Sequence, residues 1–114
     1  MIRYFSQKTS ELKKAGLSDI IIDPGFGFGK SIEHNYSLLA SLDAFRIFEL
    51  PVLAGVSRKS MIYKLLDITP EESLNGTTAI NMVALEKGAN ILRVHDVKAA
   101  KETIRIFQAL KGRG

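Results

Sequence analysis

Three short apolar runs in this sequence each lead into residues that can do polar chemistry. Ile20-Ile21-Ile22 runs into Asp23, Val52-Leu53-Ala54-Gly55-Val56 into Ser57-Arg58-Lys59-Ser60, and Ile91-Leu92 into Arg93, Val94 and His95. Residues two apart on a strand share a face, so Arg93 and His95 point together, either into a barrel or into a layer of helices. Placing an arginine and a histidine on one covered face is costly without a partner, and a bound anion would supply one. Each group also has a plainer reading. Asp23 could cap a loop, Lys59 could be a solvated residue of a helix first turn, and Arg93 could pair with Asp96 or another carboxylate. Three polar exits in one short chain favour a ligand site, because sheets flanked by helices bind ligands at the carboxyl ends of their strands.

The loop Pro24-Gly25-Phe26-Gly27-Phe28-Gly29-Lys30-Ser31 resembles two phosphate-binding patterns and satisfies neither. A P-loop needs glycine where Pro24 stands, and the dinucleotide fingerprint needs glycine where Lys30 stands. What remains is a loop whose alternating glycines allow close backbone approach to a ligand. Phe26 and Phe28 either offer flat apolar surface to a planar substrate or anchor the loop on the core. Spacing leaves both open. His34 is expected at the surface of a helix first turn. No set of side chains has metal-ligand spacing, since His95 and Asp96 are adjacent and point to opposite faces.

The elements that must position these residues follow from periodicity. Ile2, Phe5, Thr9 and Leu12 predict a helix over 2–15 that stops at Gly16. Residues 19–23 read as a strand apolar on both faces, as one covered by helices should be. Leu38, Leu39, Leu42 and Phe45 form one stripe of a helix over 33–48, closed by Pro51, and 52–56 is the second strand. A short helix runs to Leu66. Thr69, Pro70 and Glu72 then have the cap, first-turn and capping-box positions of a helix continuing to about Gly88. Residues 91–95 form the third strand, and the last helix carries Val97, Ala100, Ile104, Phe107 and Leu110. Alternation of helix and strand with short connections implies a parallel sheet of right-handed βαβ units in a single domain.

Composition narrows the function classes. The 114 residues include no cysteine, which removes disulfides and thiolate metal sites and makes a cytoplasmic setting the expectation. No apolar run is long enough to span a bilayer, so no membrane partner is expected. Net charge is +4, but the basic residues are scattered along the helices without interleaved aromatics, so no nucleic-acid partner is expected either. The sequon at Asn75 reads as chance without a secretory route.

Three blocks carry a specific resemblance. Asp23-Pro-Gly-Phe-Gly-Phe-Gly-Lys30, Pro51-Val-Leu-Ala-Gly-Val-Ser-Arg-Lys-Ser60 and Leu92-Arg-Val-His-Asp96 resemble, in order and spacing, consecutive blocks of the dihydropteroate synthase family, from about Leu17 to Leu110. The resemblance implies an α/β fold, the C-terminal portion of a TIM-type (β/α)8 barrel with three parallel strands and four or five helices. Residues 1–114 would then be one piece of a pterin-binding barrel domain.

It further implies condensation of a dihydropterin pyrophosphate with para-aminobenzoate and loss of pyrophosphate, the reaction of folate biosynthesis that sulfonamides block. By the same resemblance, Asp23 would bond the amino-pyrimidine edge of the pterin. Lys59 would reach the pterin carbonyl side and the neighbouring para-aminobenzoate. Arg93 would stack on the pterin and, with His95, hold the departing pyrophosphate, and Gly27, Phe28, Ser57 and Arg58 would help form the para-aminobenzoate pocket. Lys59, Arg93 and His95 are thus the implied catalytic groups. Magnesium is implied for the family, with its protein ligand in an N-terminal part that nothing here matches, and none is expected on this chain's side chains.

Without that part, these residues alone are expected to be inactive and to form homo-oligomers through exposed strand edges, with Ile20, Ile22 and Leu53 on an uncovered inward face. Two other readings are a non-catalytic pterin- or phosphate-binding or assembly module made of half a barrel, and a pterin-binding methyltransferase domain. The Ser57-Arg58-Lys59-Ser60 block and the Arg93-x-His95 pair favour the synthase over the latter.

Overall fold

The computed structural model describes residues 2–16, 19–27 and 29–112. Its five α-helices are α1 (Ile2–Lys14), α2 (Ile32–Ala40), α3 (Ser60–Leu66), α4 (Leu74–Glu86) and α5 (Val97–Leu110), and its strands are β1 (Leu53–Ala54) and β2 (Ile91–Leu92). The two strands are parallel, with Leu53 opposite Ile91 and Ala54 opposite Leu92. On the other side of β1, Ile22 forms a parallel bridge with Val52, held by Leu53 N–H to Ile22 O at 2.8 Å and Ile22 N–H to Pro51 O at 2.9 Å. The three expected strands are therefore present as neighbouring parallel segments with the middle one central. Only two of them form a regular ladder, and the first is reduced to a single bridge.

Helix boundaries differ from the periodicity where local chemistry competes with it. The helix expected over 33–48 breaks at Ser41, whose hydroxyl donates to Ser37 O at 2.8 Å. Residues Leu42–Phe48 continue as a 3₁₀ helix. Tighter winding places i and i+3 above one another, so Leu42 and Phe45 both reach the core. Thr69 and Glu72 pair as the capping pattern predicts, with Thr69 N–H on the Glu72 carboxylate at 3.0 Å. They cap a separate 3₁₀ turn, Pro70–Glu72, and α4 begins after Ser73.

Alternation along the strands divides the sheet into two faces. Ile22, Val52, Ala54 and Val56 are buried against Leu38, Leu39, Leu42, Met61, Ile62 and Ala84 of the helices. The opposite face carries Ile21, Leu53 and Ile91 toward the amino ends of the strands and Asp23, Gly55, Ser57, Arg93 and His95 toward the carboxyl ends. Ile21 is 55% exposed while Ile22 is 2% exposed, so Ile21 rather than Ile22 belongs to the uncovered face. The expectation failed because a fully apolar run does not reveal which of two adjacent isoleucines points inward. The molecule measures 44 × 37 × 20 Å, and its thinnest dimension matches one sheet layer backed by one helix layer.

Candidate functional site

The carboxyl ends of the three segments converge on the uncovered face. Asp23 follows the Ile22 bridge and its carboxylate does two jobs. Oδ1 accepts from Gly25 N–H at 3.0 Å, turning the chain into the glycine loop, and Oδ2 accepts from Arg93 Nη1 at 3.3 Å. The loop-capping reading of Asp23 is thus realised, and the carboxylate that partners Arg93 is Asp23, not Asp96. Arg93 is not buried: its side chain is 54% exposed and that of Asp23 39%, so the pair is a solvent-screened contact available to a ligand.

Gly55 stands opposite Arg93 in the β1–β2 register. A Cβ there would come 2.6 Å from Arg93 Nη2, so only glycine leaves room for the guanidinium. Two residues further along both strands, Ser57 Oγ and His95 Nδ1 lie 2.8 Å apart, and Ser57 Oγ also accepts from His95 N–H at 3.3 Å. Which side-chain atom donates in the shorter contact depends on the imidazole tautomer.

Lys59 occupies the N-cap position of α3 in an extended conformation. Its stem turns back over the glycine loop, and Nζ donates to Phe26 O at 2.7 Å. Gly27 has φ +99°, a conformation that favours glycine, and a Cβ on it would press the Lys59 stem at 3.3 Å from Cδ. Partial burial depresses the pKa of Lys59 below its ordinary 10.5, the Arg93 charge and Lys30 depress it further, and Asp23 opposes them. Gly55, Ser57, Lys59, Arg93, Val94 and His95 line one cavity of about 160 Å³.

Arg58 does not line that cavity. Held at φ +56°, it donates its N–H to Thr77 Oγ1 at 3.2 Å and its Nη2 to Asp96 Oδ1 at 3.0 Å. Phe26 is 1% exposed within the core, so it anchors the loop rather than offering a flat surface. Phe28 lies outside the described residues. His34 is exposed, as expected. A larger cavity of about 680 Å³, which includes Pro51, Asn90 and Phe107, lies at the amino ends of the strands and touches none of the candidate groups.

Sequence reasoning missed Asn35, Gly55 and Thr77 as partners of the candidate groups, and it offered Asp96 to Arg93 where Asp96 pairs with Arg58. For Asn35 a signal existed: it precedes Leu38, Leu39 and Leu42 at helical spacing, so a polar residue occupies the buried stripe. Among the described residues no three His, Asp or Glu side chains converge as metal ligands would.

The chain belongs to the family of pterin-binding enzymes, whose pattern matches residues 1–95. It is 49% identical over 109 residues to the dihydropteroate synthase of Escherichia coli strain K12, covering 94% of this chain and 39% of that protein. A bifunctional dihydropteroate synthase/dihydropteroate reductase of Helicobacter pylori is 40% identical, over 97% of this chain and 29% of its own length. Among solved structures, Yersinia pestis dihydropteroate synthase in a sulfonamide drug complex is similar with a TM-score of 0.91 and 42% identity, covering 98% of this chain and 42% of that one. The Coxiella burnetii dihydropteroate synthase in complex with pteroic acid aligns with a TM-score of 0.89 and 44% identity, over 95% of this chain and 41% of that one. The three parallel segments and their helices are therefore part of a (β/α)8 barrel. The chain spans about 40% of the length of most curated relatives it matches.

Proposed function

We propose that these residues supply the C-terminal part of the active site of a dihydropteroate synthase, one piece of a pterin-binding barrel domain. The observation that carries this reading is the meeting of Asp23 and Arg93, 70 residues apart, beside Lys59 at the open ends of three parallel segments. The Asp23 carboxylate, already accepting N–H donors, would exchange Arg93 for the amino-pyrimidine edge of a dihydropterin. Arg93 would then be released to lie against the pterin ring and, with His95, to hold the pyrophosphate. Lys59 would meet the pterin carbonyl side and the para-aminobenzoate, in a pocket shared by Gly27, Phe28 and Ser57, with Arg58 behind it, paired to Asp96.

The chemistry follows from the charges. The bond between the pterin methylene carbon and the pyrophosphate oxygen breaks, its electron pair leaves with the pyrophosphate, and the cation left on the pterin is captured by the aromatic amine, which loses a proton. The contribution of Lys59, Arg93 and His95 is to hold the leaving group and orient both substrates once Arg93 has left Asp23. The Coxiella protein's complex with pteroic acid and the Yersinia protein's complex with a sulfonamide support the same substrates and the same class of inhibitor here. No helix among the described residues is long and apolar enough to cross a membrane, and a cytoplasmic location belongs to the proposal. Magnesium, if used, would be held by residues outside these 114.

The test is to assay pterin and para-aminobenzoate condensation in a protein joining this chain to the remaining barrel segments, and in this chain alone. Turnover in the first and none in the second is expected. Binding of a dihydropterin without turnover in the complete barrel would instead favour a non-catalytic pterin-binding module.

A further inference from the structure

We infer that Asn35 is a positioning residue for Lys59, acting through the single peptide unit that joins Phe26 to Gly27. The N–H of that unit donates to Asn35 Oδ1 at 2.8 Å, and its carbonyl accepts from Lys59 Nζ at 2.7 Å. In a trans peptide the N–H and C=O are coplanar and point in opposite directions, so fixing one end fixes the aim of the other. Asn35 therefore grips the peptide from the helix side and presents its carbonyl to the ammonium on the cavity side.

The grip is a rigid one. Asn35 is 0% exposed, and its Nδ2 donates to Ser31 O at 3.0 Å while Oδ1 faces Gly27. Donor and acceptor are both committed, so the amide has one orientation. The loop is clamped on its other side by the buried Phe26 ring, and Gly27 leaves no Cβ to push the Lys59 stem away. A guide matters for Lys59 because a four-carbon side chain has about 2 kcal/mol of rotamer entropy to restrain. A carbonyl aimed at the ammonium selects the rotamers that keep it in the cavity lined by Arg93 and His95. The plainer alternative, that Asn35 only satisfies a buried loop amide, makes no prediction about Lys59, which lies on a different helix.

The importance of Lys59 as a site residue rests on the function proposed above, but the test uses no pterin, so the two can fail separately. In the full chain labelled with ¹⁵N, the Asn35 side-chain amide and the Gly27 amide should shift with the same midpoint as Lys59 Nζ when pH is raised, because deprotonating Lys59 weakens its bond to the shared peptide. Independence of the Asn35 amide from that midpoint would overturn the inference without any mutation. In Asn35→Ala, the Lys59 ammonium protons should exchange with water at least tenfold faster, reaching the rate of the exposed Lys98 and Lys101. Asn35→Asp keeps an oxygen for the Gly27 N–H and should restore slow exchange. Equal loss in both variants, or an unchanged Lys59 alongside a deprotected Gly27, would leave Asn35 as a structural residue only.

Discussion

Arg93 lies so close over Gly55 that a Cβ at position 55 would stand 2.6 Å from its Nη2 and 3.1 Å from its Cζ. The glycine is part of the site although it has no functional group, because it sets the depth at which the guanidinium sits. Gly55→Ala should push Arg93 off Asp23 and lower affinity for pyrophosphate about tenfold, or about 1.4 kcal/mol. Stability should change by less than about 1 kcal/mol, since the displaced atoms end a side chain that can swing into solvent. Chemical-shift titration with pyrophosphate, beside urea unfolding, checks both halves. Unchanged affinity would remove Arg93 from the anion site.

Asp23→Asn, made in a protein that includes the remaining barrel segments, should damage pterin binding strongly. An amide cannot accept two N–H donors as a carboxylate does without presenting a mismatched donor, and a charge-assisted bond contributes roughly 1.5–3 kcal/mol. The expected loss in kcat/KM is tenfold or more. Near-normal kinetics would show that Asp23 serves only the Gly25 turn and the Arg93 pair.

Lys59 should titrate below the ordinary lysine value of 10.5. Its proton is held less firmly in the folded chain than in the unfolded one, where 10.5 applies, so between the lowered value and 10.5 the unfolded chain binds more protons and stability rises with pH. Below that interval the charged ammonium is a small liability, retained for what it can bind. Arg93→Met should raise the Lys59 pKa, because it removes a repulsive charge and frees Asp23 to attract the ammonium. A ¹⁵N titration of labelled lysines reads both, and an Arg93→Met variant in which Lys59 titrates lower still would contradict the electrostatic account.

Phe26→Ala should cost about 3–5 kcal/mol of stability, because the ring is fully buried and its removal leaves a cavity beneath the glycine loop. Phe26→Leu should recover most of it. Denaturant unfolding of the two variants separates an anchor from a ligand-stacking surface, for which the stability change would be small.

The 114 residues by themselves should self-associate. Ile21, Leu53 and Ile91 share a face with no helix layer on it among the described residues, and the Ile22 segment and β2 each have a side without a described neighbouring strand. Pairing with a second copy covers both. Sedimentation at micromolar concentration should show dimers or larger species, and a monomer that binds no hydrophobic dye would show that the face closes on itself.

Much of this was legible in the linear chain. The order of helices and segments, the Leu38, Leu39, Leu42 and Phe45 stripe, the Thr69–Glu72 cap and the polar exits all depend on residues within a few positions of one another. Local periodicity and cap chemistry report such features directly. The motif blocks around Asp23, Lys59 and Arg93 likewise announced their family by residue type and spacing alone.

Tertiary structure decided which of those groups meet. Asp23 with Arg93, Ser57 with His95 and Arg58 with Asp96 are pairings across 70, 38 and 38 residues. The pairs involving Arg93 and His95 depend on the register that sets Leu53 opposite Ile91, and a one-residue slip of β2 would turn both side chains to the other face. The face occupied by Ile21 instead of Ile22 and the burial of Asn35 under the glycine loop were likewise settled only in the assembled fold. An apolar or polar residue type says that a position is to be covered or solvated, whereas its partner is chosen only when distant segments are brought side by side.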